Sequence, residues 1–222
     1  MTARFRDIHT LAEARDYYEG LSDRWPERTD VIEHLCIQVG HLLAATTSVV
    51  GLGKTARPLR VVELAAGGGQ LAAPLLARFP TLRYVGFDQS PWGIAYAEEK
   101  LALYAPRVAL YEADLNGTAW LEQLPGLVDV FISLQSLHDL GDEAAVARIY
   151  STTRKQLAPQ GRLIFADLLQ HSSANPAADP GRLTVESHLA RLAAAGYADA
   201  QCTMQTRNFG CLVATATGAV AL

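Results

Sequence analysis

Three consecutive glycines, at residues 67–69, follow a short apolar segment that ends in Glu63. Beyond the glycines, apolar residues recur at the spacing of a helix: Leu71, Leu75, Leu76 and Phe79. A strand, a glycine turn and a helix together present backbone N–H groups and a helix N-terminus to a nucleotide-like ligand. Residues 60–80 therefore predict a site for an adenosine-bearing cofactor.

Acidic side chains end or follow three successive predicted strands. Polar residues at 133–138 come at the end of the fourth predicted strand, and Asp167 at the end of the fifth. In a doubly wound sheet, ligands bind outside the carboxyl ends of the strands. Asp88 lies about 20 residues past the glycine turn, where an acid can accept hydrogen bonds from ribose hydroxyls. Asp114 can accept from an adenine amino group, and Glu63 can receive a cationic amine through a backbone or water relay.

The elements that position these acids alternate between strands and helices. After the strand that ends in Glu63, we expect strands at residues 82–87, 108–112, 127–134, 162–168, 197–206 and 209–217. The last two are separated by only a few residues, which permits an antiparallel pair and leaves no room for a crossover helix. The predicted fold is α/β, a Rossmann-like, doubly wound, mostly parallel sheet of seven strands. It ends in a C-terminal antiparallel hairpin, with the one reversed strand at an edge.

Two predicted helices precede the sheet, at about residues 11–21 and 29–45. Thr10 and Glu13 form a capping-box pattern before the first helix, and an apolar stripe runs along the second. We expect a single domain over residues 1–222, with a helical cap or lid and linker at 1–57 and the cofactor-binding core at 58–222. The helices could instead form a dimer face or simply pack on the sheet, so a homodimer through them is an open alternative.

The composition favours a globular protein without a dominant nucleic-acid-binding surface. Half of the residues are hydrophobic, the net charge is −4 and no Lys/Arg block occurs, so we expect no nucleic-acid partner. The chain has no signal-peptide pattern and no apolar run of the ~20 residues that a membrane span needs, which predicts a cytoplasmic protein without a membrane partner. Its three cysteines lack metal-ligand spacing, so we predict reduced thiols and no metal site.

Five segments together resemble the class I S-adenosylmethionine-dependent methyltransferases, over about residues 60–216. They are VVELAAGGGQL, GFDQS, YEADL, VDVFISLQSLHDL and LAPQGRLIFADLL. The first motif of that family is an acid followed by alternating glycines. Glu63, Gly67 and Gly69 match it, while Ala65 replaces the first glycine and adds a methyl group near the methionine moiety.

The resemblance implies S-adenosyl-L-methionine as the cofactor and S-adenosyl-L-homocysteine as its product. It implies that Asp88 binds the ribose diol and that Asp114 and Leu115 bind the adenine. The full set of expected cofactor-binding residues is Glu63, Ala65, Gly67, Gly69, Asp88, Gln89, Asp114, Leu115, Ser133 and Tyr18. Tyr17 and Trp25 could join Tyr18 in closing over the sulfonium by cation–π attraction.

A nicotinamide enzyme is the rival on motif grounds, because Gly67, Gly69 and Ala72 also satisfy G-x-G-x-x-A. Dinucleotide-binding folds usually carry an apolar residue where this chain has Glu63. A hydride-transferring enzyme would also need a substrate domain, for which no residues remain after the terminal hairpin.

The run LQSLHDLGDE resembles the segment of small-molecule O-methyltransferases that carries a histidine general base. The resemblance therefore implies that His138 is catalytic and removes the proton of a hydroxyl acceptor. Asp139 or Asp142 could orient its imidazole, and His171 is a weaker second candidate base.

Two alternatives stay open for the reaction. Methyl transfer from a sulfonium needs little beyond in-line placement of the acceptor, so an N-methyltransferase could use His138 only for positioning. A cyclase or pericyclase of the same fold could bind the cofactor without transferring its methyl group.

Overall fold

The computed structural model describes residues 7–49, 57–170 and 180–216. The strands of this part of the chain are β1 (Arg60–Leu64), β2 (Arg83–Asp88), β3 (Val108–Glu112), β4 (Val128–Leu134), β5 (Leu157–Leu168), β6 (Tyr197–Gln205) and β7 (Phe209–Ala216). Its α-helices are α1 (Leu11–Glu19), α2 (Leu21–Arg24), α3 (Arg28–Val49), α4 (Ala72–Arg78), α5 (Pro91–Lys100), α6 (Glu143–Gln156) and α7 (Val185–Ala194).

The seven strands form one sheet in the order β3-β2-β1-β4-β5-β7-β6. The first five strands are parallel to their neighbours, and β7 runs antiparallel between β5 and β6. The predicted seven-stranded, mostly parallel sheet with a terminal hairpin is confirmed.

The expectation that the reversed strand lies at an edge is wrong, because β6 forms the edge and β7 lies inside. Burial explains the order: β7 is buried along nearly its whole length, whereas β6 alternates between buried and exposed positions. A strand that is apolar on both faces belongs inside the sheet, while a half-exposed strand tolerates the edge.

Helices cover both faces of the sheet. Apolar residues of α3 and α4 pack on one face, and those of α6 and α7 pack on the other. The helix α1 belongs to neither core, because it rests on α5 through a small separate cluster that includes Ala14, Tyr18 and Tyr96. The N-terminal helices therefore divide into α3, which is part of the main core, and α1, which covers the carboxyl end of the sheet beside it.

Two local boundaries differ from the sequence-based expectation. The helix before the fifth strand ends at Gln156, and β5 already begins at Leu157, five residues before the predicted start. The first predicted helix is divided at Gly20 into α1 and α2. His171 and most of its loop lie outside the described residues.

The strand order reverses direction next to β1, which lies between β2 and β4. Doubly wound sheets bind their ligands at such a reversal, beyond the carboxyl ends of the strands. None of the helices in the described part of the chain combines the length and apolar character that a bilayer crossing needs.

Candidate active site

The turn after β1 is built from alternating left-handed residues. Ala65, Gly67 and Gly69 have φ angles of 55°, 53° and 75°. The alternating small residues of the sequence motif therefore correspond to a backbone requirement. Glycine adopts this conformation freely, whereas an L-residue such as Ala65 is destabilised there by roughly 1–2 kcal/mol.

The ring of Tyr18, on α1, lies directly on the glycine turn. A Cβ atom added at Gly67 would lie 2.7 Å from Tyr18 Cε1, and one added at Gly68 would lie 2.8 Å from Tyr18 Cδ2. A Cβ atom at Gly93, in the first turn of α5, would lie 2.8 Å from the Tyr18 hydroxyl. Tyr18 thus lies beside the predicted cofactor turn, and the three glycines leave the room that its ring occupies.

Asp88 ends β2 and joins the glycine turn to α5. Its Oδ2 accepts a hydrogen bond from Gly67 N at 2.7 Å, and its Oδ1 accepts from Ser90 N at 2.8 Å. Burial raises the pKa of the Asp88 carboxyl, although backbone N–H donors oppose the rise. Each carboxylate oxygen keeps a second lone pair, so the group can still accept from a ribose hydroxyl.

Glu63 is buried below the turn, at 2% exposure. Its Oε2 accepts a hydrogen bond from the Tyr84 hydroxyl at 2.6 Å. Burial raises the pKa of Glu63 to about 8, against the opposing effects of the Tyr84 hydrogen bond and the nearby charge of Arg28. A cationic group placed beside Glu63 would favour its ionised form.

The predicted adenine residues lie on the far side of Asp88. Asp114 is exposed and its Oδ1 accepts from Asn116 N at 2.9 Å, whereas Leu115 is buried and Gln89 is exposed. The Asn116 amide donates to Leu140 O at 3.0 Å, which connects this loop to the turn that carries the candidate base.

Ser133 is the predicted cofactor residue whose side chain the structure places inside the sheet. It is fully buried and its Oγ donates to Leu64 O at 3.0 Å, so its hydroxyl holds β4 to β1. We therefore assign its side chain a structural hydrogen bond.

His138 lies in a short 3-10 helix, Leu137–Leu140, directly after β4. Its Nδ1 lies 2.6 Å from Asp167 Oδ1, and its backbone N–H donates to Asp167 Oδ2 at 2.8 Å. Asp167, on β5, is 1% exposed and therefore fixes the imidazole from within the sheet. Asp139 Oδ2 lies 3.4 Å from Nε2, while Asp142 instead caps α6 by accepting from Ala145 N.

The charge of the imidazole is set by two opposing effects. Burial lowers the pKa of His138, but the negative charge and hydrogen bond of Asp167 raise it more, so the net shift is upward. Since the carboxylate can only accept, the neutral imidazole carries its proton on Nδ1 and presents the Nε2 lone pair.

The structure also separates the three aromatic residues proposed to close the site. Trp25 packs edge-on against Phe209 at a ring-centroid distance of 6.1 Å and belongs to the main core. Tyr17 contacts Tyr18 edge-on at 5.1 Å and lies close enough to Asp139 for that charge to contribute to its raised pKa, which burial chiefly causes. Trp25 also packs against the small cluster that holds Tyr17 and Tyr18, and of the three rings Tyr18 is the one that contacts the glycine turn.

Sequence reasoning missed the buried guanidinium of Arg28, at the start of α3. It donates to the side chain of Gln135, which follows β4 in a left-handed conformation with φ 59°. A charged residue at the beginning of a helix usually predicts a solvated position, so nothing in the local sequence distinguishes it. Among the described residues, no group of three His, Cys, Asp or Glu side chains is arranged to hold a metal ion.

Comparison with known proteins finds a family model that matches part of the chain. Residues 62–163, slightly under half of the chain, match the model of a family described as a methyltransferase domain. The resemblance of its motifs to class I S-adenosylmethionine-dependent methyltransferases is confirmed.

Individual relatives agree with this assignment. An O-methyltransferase of Armillaria gallica is 28% identical over 83% of this chain and 42% of its own length. The demethylmenaquinone methyltransferase of Thermus thermophilus is 29% identical over 63% of this chain and 60% of its own length. The chain thus spans less than two thirds of either relative.

A solved structure shares the fold. Human N-acetylserotonin methyltransferase in complex with S-adenosylmethionine superimposes on 95% of this chain and 57% of its own, with a TM-score of 0.65 at 17% identity. The residues of the methyltransferase domain fit such a cofactor: side-chain-free glycines line the turn, Asp88 can accept from a ribose, and Glu63 can face a cationic amine.

Because Ala65 has a left-handed conformation and Ala66 does not, replacement of each by glycine should change the free energy of unfolding differently. Ala65→Gly relieves the strained φ, whereas Ala66→Gly removes a methyl group from a buried residue without positive φ. We expect Ala66→Gly to destabilise the fold by about 1 kcal/mol and Ala65→Gly to be more stable than Ala66→Gly by roughly 1–2 kcal/mol. Urea unfolding of both variants measures this difference, and equal losses would contradict the strain at residue 65.

Proposed function

We propose that this protein is an S-adenosylmethionine-dependent methyltransferase that acts on a small-molecule hydroxyl, with His138 as the general base. The observation that carries the proposal is the His138–Asp167 pair, which lies at the carboxyl ends of β4 and β5, on the same edge of the sheet as the glycine turn. The likeness to the Armillaria gallica O-methyltransferase supports a hydroxyl acceptor.

In this proposal each residue of the pair has one task. The bound cofactor supplies an electrophilic methyl group. Asp167 accepts a hydrogen bond from Nδ1–H of His138, holds the ring in one tautomer and stabilises the imidazolium that forms. Nε2 then takes the proton of the acceptor hydroxyl as that oxygen attacks the methyl group.

The N-terminal helices act as a cap over residues 58–222, with residues 1–57 forming the cap and linker of a single domain. Support comes from Tyr18, which contacts the glycine turn, and from Arg15, which pairs with Glu99 at 2.7 Å across α1 and α5. A cap of this kind would exclude water from the acceptor and methyl group, which favours in-line transfer.

The direct test is to incubate the protein with methyl-labelled cofactor and a panel of phenols, amines and thiols. We expect label to move to phenols with equimolar release of S-adenosylhomocysteine. Transfer only to amines would favour the N-methyltransferase alternative. Conversion of a substrate while the bound cofactor stays intact would favour the cyclase alternative and contradict the proposal.

Removal of the imidazole tests the base directly. We expect His138→Ala to lower kcat about 10²-fold or more, since general bases typically contribute 10²- to 10⁴-fold. The exposed His41 of α3 supplies the matched control, and His41→Ala should leave kcat unchanged. A loss below tenfold in His138→Ala, with cofactor affinity retained by calorimetry, would assign the histidine to positioning alone.

The pH dependence tests the role of Asp167. Because His138 must be neutral to accept a proton, activity should rise as pH rises through its pKa, which lies above the ordinary 6.5. Asp167→Asn removes the charge that favours the imidazolium, so the rise should move to lower pH and kcat should fall. An unmoved profile of kcat/KM in a folded Asp167→Asn variant would contradict the pairing.

The same pair makes a contribution to stability of known sign. The pKa of His138 is higher in the folded protein than in the unfolded chain, so protonation of His138 stabilises the fold. This stabilisation is complete at a pH below the pKa of the unfolded chain and is lost as the pH rises through the pKa of the folded protein. Thermal melts of the wild type and Asp167→Asn should therefore differ more at acidic than at alkaline pH, within the range in which both proteins fold.

A further inference from the structure

Arg28 is a buried cation whose hydrogen bonds are incomplete. Its side chain belongs to a residue that is 5% exposed, and its Nη1 donates to Gln135 Oε1. Its Nε has no hydrogen-bond partner among the described residues. Burial lowers the pKa of Arg28 to about 10, against the opposing charge of Glu63, so the guanidinium stays protonated at neutral pH.

A buried guanidinium with an unmet donor is unfavourable unless an anion or acceptor joins it. Arg28 lies within the electrostatic influence of Glu63, but Glu63 hydrogen-bonds to Tyr84 and not to the guanidinium. The first turn of α3 needs no arginine for helix formation. Besides its hydrogen bond to Gln135, the Arg28 side chain therefore has an Nε donor that can bind a further acceptor.

Its neighbours place Arg28 on the same side as the glycine turn. Gln135 follows β4, Glu63 lies on β1, and these two strands are adjacent in the sheet. Tyr17 and Tyr18 lie near enough to Arg28 to influence its pKa, and Tyr18 lies on the glycine turn. The candidate base, in contrast, is held by Asp167 on β5, one strand further from β1.

A guanidinium with an unmet donor, near a carboxyl group that an added positive charge would ionise, suits a zwitterion. We propose that Arg28 binds the α-carboxylate of the cofactor's amino-acid moiety, while the neighbouring Glu63 faces its α-ammonium group. This assignment rests on the proposed function, since it names one contact of the same cofactor. Arg28 belongs to the N-terminal helices, which precede the match to the methyltransferase family at residues 62–163. The assignment therefore gives these helices a direct role in cofactor binding.

The contact has a functional consequence for the cap. Arg28 is the first residue of α3. The turn at Trp25 connects α3 to α2, and α2 follows α1 directly. A carboxylate held by Arg28 would therefore stabilise the helices that place Tyr17 and Tyr18 over the site. Cofactors that lack this group should bind without that stabilisation.

Calorimetry with two ligands tests the assignment on the full-length protein. S-adenosylhomocysteine carries both charges, and its decarboxylated analogue keeps the amine but lacks the carboxylate. We expect the wild type to bind the analogue at least about tenfold more weakly, the scale of a charge-assisted hydrogen bond. In Arg28→Met, affinity for S-adenosylhomocysteine should fall to a similar extent, while affinity for the analogue should change by less than about threefold.

Arg148→Met is the matched control, because it removes an exposed arginine from α6, on the other face of the sheet from α3. It should leave both affinities unchanged. If Arg28→Met does not fold, Arg28→Lys keeps a cation and should show a smaller loss that is still confined to S-adenosylhomocysteine. The comparison of the two ligands in the wild type requires no variant.

Several outcomes would overturn the assignment. Equal affinity of the wild type for the two ligands, or equal losses for both in Arg28→Met, would reduce Arg28 to a structural residue. A raised KM for the acceptor with unchanged S-adenosylhomocysteine affinity would place Arg28 in the substrate site. Absence of binding by S-adenosylhomocysteine to the wild type would contradict the cofactor itself, which is the distinct failure of the proposed function.

Discussion

The carboxylate of Asp88 is the contact on which the geometry of the site depends. It accepts one backbone N–H from Gly67 and one from Ser90, so it joins the turn after β1 to the beginning of α5. Ser90 in turn caps α5 by accepting from Gly93 N. A buried acid whose two oxygens both bind the backbone fixes two loops at once, and it does so at the carboxyl ends of adjacent strands. The orientation of α5, and of α1 that rests on it, follows from this one group.

The contact between α1 and the glycine turn lies in the same region. Tyr18 stacks on Tyr96 of α5 with ring planes 13° apart and lies on the glycine turn. Asp88, which holds that turn, is only 7% exposed. Because α1 is held by a small cluster separate from both main cores, its position depends on few apolar contacts. The cover that Tyr18 forms over the turn is therefore less strongly fixed by packing than the sheet is.

The sheet was accessible to sequence reasoning because its signals are local. Apolar strands, the acids at their ends and the glycine turn each occupy a few adjacent residues, and apart from the early start of β5 they occur close to where they were predicted. The spacing of the last two strands did not predict that β7 lies between β5 and β6, because either strand of a hairpin can pair with the rest of the sheet. The contacts of His138 with Asp167 and of Arg28 with Gln135 join residues 29 and 107 positions apart. Sequence identified Asp167 only as a polar residue at a strand end and did not identify Arg28, because only the folded sheet brings these partners together.

The boundary of the family match divides the site into two parts with different constraints. Gly67, Asp88 and His138 lie within residues 62–163, whereas Tyr17, Tyr18 and Arg28 precede them. The core residues hold backbone turns and strand ends that the sheet itself requires, so they are fixed by folding as well as by any cofactor. Tyr17 and Tyr18 meet no such requirement, since α1 adds little to either main core, whereas Arg28 begins α3, which packs in a main core. Substitutions in α1 therefore disturb the sheet less than substitutions at the strand ends do, and α1 is the part of the candidate site whose sequence the fold constrains least.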